Sequence, residues 1–340
     1  MSTTNGPTEN ATTPGVATPL LEIRHLTKHF PVGGLFGKRQ LQALQDVSFS
    51  VNRGKVVALV GESGSGKSTT ARLIARLMPP TAGEIVFKGR DVLKQEPRQA
   101  SLAYRGEVQM IFQDPFGSLN AVHTVGHHLS RPLQVHHKTS GRHATRARVE
   151  ELLDTVGLSP VAEFVDKYPH ELSGGQRQRI AFARALAVDP EVMLADEPVS
   201  MLDVSIRMGI LNLMERLKEE RGLAYLYITH DIASARYIGD ETIVMYAGRM
   251  VEGAPSDELI QQPAHPYTKL LLSAVPNPHA NRPKRVEARG EVPSLIDPPP
   301  GCPFAARCPS VMAVCRQSMP GVATVAPQHW VRCHLYGPGQ

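Results

Sequence analysis

The sequence predicts an α/β protein with a parallel sheet, a mostly helical lobe and a small cysteine-bearing C-terminal extension. Three observations carry that prediction. Short aliphatic runs alternate with stretches of helical periodicity, the pattern of strands joined by crossover helices. Residues 115–184 are mostly helical and numerous enough to stand as a lobe of their own. After Gly253 the texture changes: prolines crowd residues 263–300, and all four cysteines lie beyond Gly301.

Residues 1–19 are rich in Thr, Pro, Gly and Asn. They lack the apolar side chains that would offset ordering entropy, so they read as a disordered tail. Residues 21–24 alternate like a strand, and residues 44–51 do so again, with Val47, Phe49 and Val51 on one face. Gly33, Gly34 and Gly37 mark the loop or hairpin tip between them. Residues 55–60 form a short aliphatic run ending in glycine, which reads as a buried strand. A helix is expected over 68–77. Further buried strands are expected at 192–195, 224–229 and 242–246, with helices at 176–187 and 204–220. The core so defined covers residues 20–255, and residues 256–340 form the extension.

Composition excludes several classes of function. The chain has 340 residues, 41% hydrophobic and 20% charged, which is ordinary for a globular protein with a sizeable core. Its longest unbroken aliphatic run, residues 56–60, is far too short to span a bilayer, and the N-terminus does not read as a signal peptide. The net charge of +5 is small and dispersed, so no nucleic-acid partner is expected.

The chemistry begins after the run at 55–60. Gly61-Glu62-Ser63-Gly64-Ser65-Gly66-Lys67-Ser68-Thr69 fits the phosphate-binding P-loop pattern, a glycine, four residues, then Gly-Lys-Ser. Glycines at 61, 64 and 66 let backbone N–H groups curl round a phosphate without a Cβ clash. The helix that follows adds its positive dipole end. Lys67 supplies a point charge to the outer phosphates and Ser68 a hydroxyl to Mg²⁺. A second element stands at Val192-Met193-Leu194-Ala195-Asp196-Glu197, an apolar strand ending in two adjacent carboxylates. Asp196 suits Mg²⁺, and Glu197 suits a general base that polarises the attacking water. Together the two elements describe a nucleoside triphosphatase.

Between them lies Leu172-Ser173-Gly174-Gly175-Gln176, which resembles the signature sequence of ABC-type ATPases. Other motifs match in order. Gln113 in Phe112-Gln113-Asp114 resembles the Q-loop, Asp203 in Ser200-Met201-Leu202-Asp203 the D-loop, and His230 in Ile228-Thr229-His230-Asp231 the switch histidine. Phe30 stands where the family places an aromatic that stacks on adenine. The resemblance implies a P-loop NTPase core with a helical subdomain at about 115–184 and an antiparallel β subdomain. It also implies that Gly61, Ser63, Gly64, Ser65, Gly66, Lys67, Ser68 and Thr69 bind ATP. Ser68, Gln113 and Asp196 would serve Mg²⁺, with Glu197, His230 and Gln113 as catalytic residues. Leu172, Ser173, Gly174, Gly175 and Gln176 would act on the nucleotide of a second ATPase subunit, with Asp203 at that interface. The pairs His127-His128 and His136-His137 lack metal-ligand spacing and read as a solvated face. Arg177 and Arg179 read as helix surface and lobe packing.

The extension narrows the resemblance. His265-Pro266-Tyr267-Thr268 and Pro298-Pro299-Pro300-Gly301-Cys302-Pro303-Phe304, with Arg307-Cys308 after it, resemble the C-terminal region of oligopeptide and dipeptide importer ATPases. So do Asp114-Pro115-Phe116-Gly117-Ser118-Leu119-Asn120 and Asp196-Glu197-Pro198-Val199-Ser200. The resemblance implies an ATPase at the cytoplasmic face of the membrane, peripheral to two permease subunits. An identical or different second ATPase chain and an extracytoplasmic peptide-binding protein complete the implied system. The alternatives are a soluble ABC ATPase without a transport role and a redox-regulated ATPase.

A disulfide is not expected among Cys302, Cys308, Cys315 and Cys333 without an export signal. No Cys-x-x-Cys pair of the usual zinc kind occurs. The spacing is compatible with a 4Fe–4S cluster, which the resemblance implies in some members. Arg307, Arg316 and Arg332, with no Asp or Glu beyond residue 297, suit a cluster of net negative charge. Zinc and plain buried thiols remain as alternatives.

Overall fold

The computed structural model describes residues 18–33, 39–274 and 293–337. Most of the expected tail, Gly34 and Gly37 of the expected hairpin tip, and part of the proline-rich stretch lie outside these residues. Twelve strands are present among the described residues: β1 (Leu21–Val32), β2 (Arg39–Val51), β3 (Val56–Val60), β4 (Ala82–Phe87), β5 (Arg90–Asp91), β6 (Val108–Ile111), β7 (Val192–Asp196), β8 (Ala224–Thr229), β9 (Glu241–Tyr246), β10 (Arg249–Pro255), β11 (Ala323–Ala326) and β12 (His329–Val331).

They form two sheets. One is four-stranded and antiparallel, in the order β2-β1-β4-β5. The other has eight strands in the order β11-β12-β10-β9-β3-β8-β7-β6. Within it β9, β3, β8, β7 and β6 run parallel, while β10, β12 and β11 add an antiparallel edge. The parallel part explains the unbroken apolar runs, since its strands are covered on both faces. Along β3, side chains alternate between two cores. Val56, Ala58 and Val60 face a cluster shared with the helical lobe, which includes Leu129, Leu152, Ile180 and Phe182. Val57 and Leu59 face a second cluster shared with the antiparallel sheet, which includes Leu21, Ile23, Leu44 and Phe87.

Among the boundaries that differ from expectation, two have identifiable local reasons. The strand expected at 21–24 continues to Val32 as β1, because register shifts after Ile23, Leu26 and Lys28 break the period of two. The helix expected at 68–77 spans Lys67–Ile74, and Arg76 just beyond it has φ +57°. The helix Val204–Arg221 ends as its sequence suggests, on Gly222 in the left-handed conformation. The lobe is built mainly from helices Val125–Val135, Arg142–Thr155 and Gly174–Leu186. Arg179 is half-buried there and donates to the Val156 carbonyl, and Arg184 donates to that of Ser118. His128 corrects the solvated reading of the histidine pairs. It is buried and its ring bonds the Asn120 carbonyl at 3.0 Å, while His127 is exposed.

The extension is an integral part of the large sheet. β12 pairs with β10, setting Glu252 opposite Val331 and Gly253 opposite Trp330. A Cβ on Gly253 would lie 2.5 Å from the Trp330 ring, so the close approach requires glycine. His329 on β12 is buried between Glu252 at 2.8 Å and Glu258 at 3.1 Å. Glu252 is fully buried and also accepts the backbone N–H groups of Ala264 and His265. This carboxylate is therefore multiply paired, as a buried charge must be.

His265 caps the helix Pro266–Ser273 through Nδ1, which accepts the Tyr267 N–H at 3.0 Å, while Nε2 has no partner among the described residues. Burial, with a smaller contribution from the Lys269 charge, pushes its pKa down to about 4. Between about pH 6.5 and 4 the unfolded chain therefore binds a proton that the folded chain does not. Stability falls as pH is lowered through that window. His265→Asn keeps a capping acceptor and removes the titrating ring. Thermal denaturation from pH 7 to pH 4 is expected to give a shallower acid-side loss in that variant than in the wild type. Parallel curves would refute the assignment.

Candidate functional site

The large sheet delivers the site at the carboxyl ends of its strands. β3 ends at Val60, the loop follows, and the helix Lys67–Ile74 begins at its far side. Gly61 has φ +154°, and a Cβ there would lie 2.2 Å from the Met245 carbonyl oxygen, so the loop closes tightly against β9. Gly66 has φ +103° and caps the helix without a side-chain hydrogen bond, leaving first-turn N–H groups available to an anion. Lys67 is buried and folds back across the loop. Its Nζ donates to the Gly61 carbonyl at 2.7 Å and the Glu62 carbonyl at 2.9 Å. Burial lowers the Lys67 pKa, and the charges of Glu197, Asp196 and Glu62 oppose that fall. A cation held among three carboxylates beside a glycine-lined loop is suited to an anionic ligand.

β8 lies between β3 and β7, and the carboxylates stand at the end of β7. Ser68 Oγ donates to Asp196 Oδ1 at 2.8 Å. Burial raises the Asp196 pKa, against the hydrogen bond from Ser68 and the charges of Arg72 and Lys67. A hydroxyl and a carboxylate in contact are hard oxygen donors of the kind Mg²⁺ takes, with its other positions left to water and phosphate. These two residues therefore fit the expected metal. Gln113, the third residue expected at the metal, donates through Nε2 to Glu197 Oε2 at 3.0 Å, and its amide oxygen is the atom Mg²⁺ would take.

Glu197 adopts φ +47°, an uncommon conformation for a residue with a side chain. Its N–H donates to the Ile228 carbonyl on β8, and its own carbonyl accepts from Ser200 Oγ. The backbone is therefore fixed on both sides of a strained residue, the situation in which strain accompanies function. The carboxylate accepts from Gln113, and His230 Nδ1 lies 3.2 Å from the same oxygen. Two residues read separately from the sequence thus converge on one oxygen atom of a third. A carboxylate steered by an amide and an imidazole can hold and deprotonate a water molecule.

Other expected site residues stand apart from this cluster. Ser173 caps Gly174–Leu186 in a reciprocal box, its Oγ accepting from Gln176 N–H and its N–H donating to Gln176 Oε1. Ser173 is exposed and Leu172 is buried. Gly174 and Gly175 lie against the segment after the carboxylates, since added Cβ atoms would stand 3.4 Å from Leu202 and 2.5 Å from Ile206. Asp203 is exposed at the start of Val204–Arg221, flanked by exposed Met201 and Val204. Phe30 is half-buried on β1 with the Lys28 ammonium 4.9 Å from its ring centroid.

Sequence reading missed three residues that meet at the loop. Glu62 pairs with Arg307 in two hydrogen bonds, and its N–H donates to Tyr267 Oη. No local signal could have found this contact, because the partners are separated by 245 and 205 positions.

The four cysteines are free thiols gathered in one region. The Cys302 N–H donates to the Cys315 carbonyl at 2.7 Å. Burial pushes the Cys302 thiol up to about 11, aided by the other three cysteines and opposed by a hydrogen bond from the Phe304 backbone. Cys308 and Cys333 are also raised by burial and opposed by backbone bonds from Ser310 and Leu335. Among the described residues, no group of three or more His, Cys, Asp or Glu stands at metal-holding spacing. The geometry therefore gives no support to the expected 4Fe–4S cluster, because shared surroundings do not amount to a ligand set.

Comparison with known proteins agrees with this geometry. Residues 44–200 match the family model described as ABC transporter, and residues 251–315 match the oligopeptide/dipeptide transporter C-terminal region. The chain is 45% identical over 323 residues to the oligopeptide transport ATP-binding protein AppF of Bacillus subtilis, covering 93% of this chain and 97% of that protein. It is 47% identical over 306 residues to the dipeptide transport ATP-binding protein DppF of Escherichia coli, covering 89% and 90% respectively. Among solved structures, it resembles a dimeric ATP-binding cassette in a post-hydrolysis state bound to ADP and Pi. The TM-score is 0.62 and the identity 30%, over 69% of this chain and 98% of that one.

Proposed function

The chain belongs to the ABC transporter family, in the branch of ATP-binding subunits of oligopeptide and dipeptide importers, and we propose that it drives import by closing on a second ATPase chain around bound ATP. The observation that carries the ATPase reading is the convergence of Gln113 and His230 on the Glu197 carboxylate, one residue after the Ser68–Asp196 pair. In the proposed cycle, loop N–H groups and Lys67 hold the phosphates. Mg²⁺, when bound, would be held by Ser68, Gln113 and Asp196 and would neutralise developing phosphate charge. Glu197 takes the proton of the attacking water while His230 and Gln113 fix the direction of its carboxylate.

The site is completed in this reading by a second chain. Exposed Ser173 and Asp203, with Met201 and Val204 alongside, offer the surface that would meet the partner's loop. The partner would be a different ATPase subunit or a second copy of this one. Phe30 would stack on adenine, displacing or sharing the Lys28 contact. No helix of the described residues is long and apolar enough to cross a membrane. In this reading the passage is formed by separate permease subunits. The chain would associate peripherally with them at the cytoplasmic face, with an extracytoplasmic binding protein supplying peptide.

Cluster binding is the finer part of the proposal. Four neighbouring thiols, three of them accepting backbone hydrogen bonds, supply suitable chemistry, but the sulfurs would have to draw together. One experiment addresses both readings. Tagged chain is purified anaerobically from membranes of its source cell, and the complex is analysed for subunits and metal. Two membrane permeases and about four iron atoms per chain are expected. A chain recovered without permeases would refute the transport role, and stoichiometric zinc or no metal would refute the cluster.

A further inference from the structure

The C-terminal extension reaches the phosphate loop through one residue. Glu62 is held at three points. Its N–H donates to Tyr267 Oη at 2.9 Å, and its carboxylate accepts from both terminal nitrogens of Arg307 at 2.7 and 3.0 Å. Its carbonyl accepts from Lys67 Nζ at 2.9 Å. The same residue therefore touches the extension on two sides and the phosphate-binding lysine on the third.

The extension's end of this contact is built firmly. The Arg307 side chain is 9% exposed and donates to Tyr246 Oη at 3.3 Å. Its guanidinium lies 5.8 Å from the Tyr246 ring and 5.9 Å from that of Phe304. The rings of Tyr246, Tyr267 and Phe304 pack on one another, with centroids 4.5 to 5.4 Å apart. Arg307 stands in the short segment between Cys302 and Cys308, so the cysteine-bearing loop presents it to Glu62.

We propose that Arg307 is a positioning residue for the phosphate site, through which the extension sets the nucleotide affinity of the loop. A carboxylate within the loop repels the anion that the loop binds. Arg307 neutralises that carboxylate and holds both its oxygens in a two-bond pair, in surroundings too dry for solvent to screen the pair fully. With Arg307 gone, Glu62 becomes an unpaired negative charge beside the phosphates and a competing partner for the Lys67 ammonium. This proposal rests on the reading of residues 61–69 as an ATP site.

The test measures the Kd of a fluorescent ATP analogue with Mg²⁺ on the full-length chain. Arg307→Ala is expected to weaken binding about tenfold, and Glu62→Gln by no more than about threefold. The double variant is expected to match Glu62→Gln, because a neutral side chain leaves nothing for Arg307 to cancel. KM for ATP follows the same order, while kcat at saturating ATP changes little. A purely structural contact would lower the melting temperature of Arg307→Ala and the double variant alike and give no rescue. An unchanged Kd for Arg307→Ala, or a double variant as weak as Arg307→Ala, overturns the proposal. Should Arg307→Ala not fold, Tyr267→Phe keeps the ring packing and removes the hydroxyl. Weakening of about threefold is then expected, and an unchanged Kd overturns the proposal. Lys67→Ala in the same assay separates the two readings: wild-type binding by that variant would refute the loop as the ATP site.

Discussion

Glu197→Gln is expected to abolish ATP turnover, by a factor of about 10³, while ATP-dependent pairing of chains persists. The amide keeps the shape of the carboxylate and can still meet Gln113 and His230, which lie 3.0 and 3.2 Å from Glu197 Oε2. It loses the basicity needed to take a proton from water. Nothing in the substitution touches the loop, Lys67 or the Ser68–Asp196 pair, so nucleotide and metal should bind as before. The bound state should therefore accumulate instead of decaying. Steady-state phosphate release measures the loss, and size-exclusion chromatography with MgATP measures the pairing, in the presence of the partner ATPase if that is a different chain. Turnover within tenfold of the wild type would remove Glu197 from the role of base. Loss of ATP binding would show instead that its contacts hold the site together.

Lys67→Ala is expected to weaken ATP binding about a hundredfold and to suppress hydrolysis with it. Lys67 is the buried cation of the loop, and its Nζ closes the loop onto the Gly61 and Glu62 carbonyls. Its removal deletes the charge that faces the outer phosphates and releases two carbonyls that the ammonium had satisfied. It also leaves Glu197, Asp196 and Glu62 without the cation that moderates their mutual repulsion. Lys67→Arg is expected to restore charge without restoring function, since a planar guanidinium cannot occupy a space shaped for a compact ammonium. Equilibrium binding of labelled ATP distinguishes the two variants. Near-wild-type affinity in Lys67→Ala would refute the assignment of this loop.

Much of the site was legible because its parts are local. The conformation of the phosphate loop follows from glycines at fixed positions, and the strand before and helix after it are read from neighbouring residues. The same holds for Asp196 and Glu197 at the end of an apolar strand. The signature helix announces itself through a Ser173–Gln176 capping box that lies within four residues. The polar first strand was less legible, since the bulges of β1 conceal its alternation. The fate of His128 was also hidden. Whether an imidazole meets solvent or the Asn120 carbonyl depends on how the lobe folds back on itself.

The class of the protein, the chemistry of its nucleotide site and the family to which it belongs are all written in the order of its residues. These depend on short runs of residues whose backbone preferences and functional groups act over a few positions. The tertiary structure decided which side chains meet across the chain. It brought Gln113 and His230 to one oxygen of Glu197, withheld metal-holding spacing from the thiols, and made the extension an edge of the central sheet through β12. It also placed Arg307 on Glu62. Contacts of that kind follow from sheet order and from the pairing of buried charges. Each of them depends on the whole path of the chain between the partners, and no local pattern encodes that path.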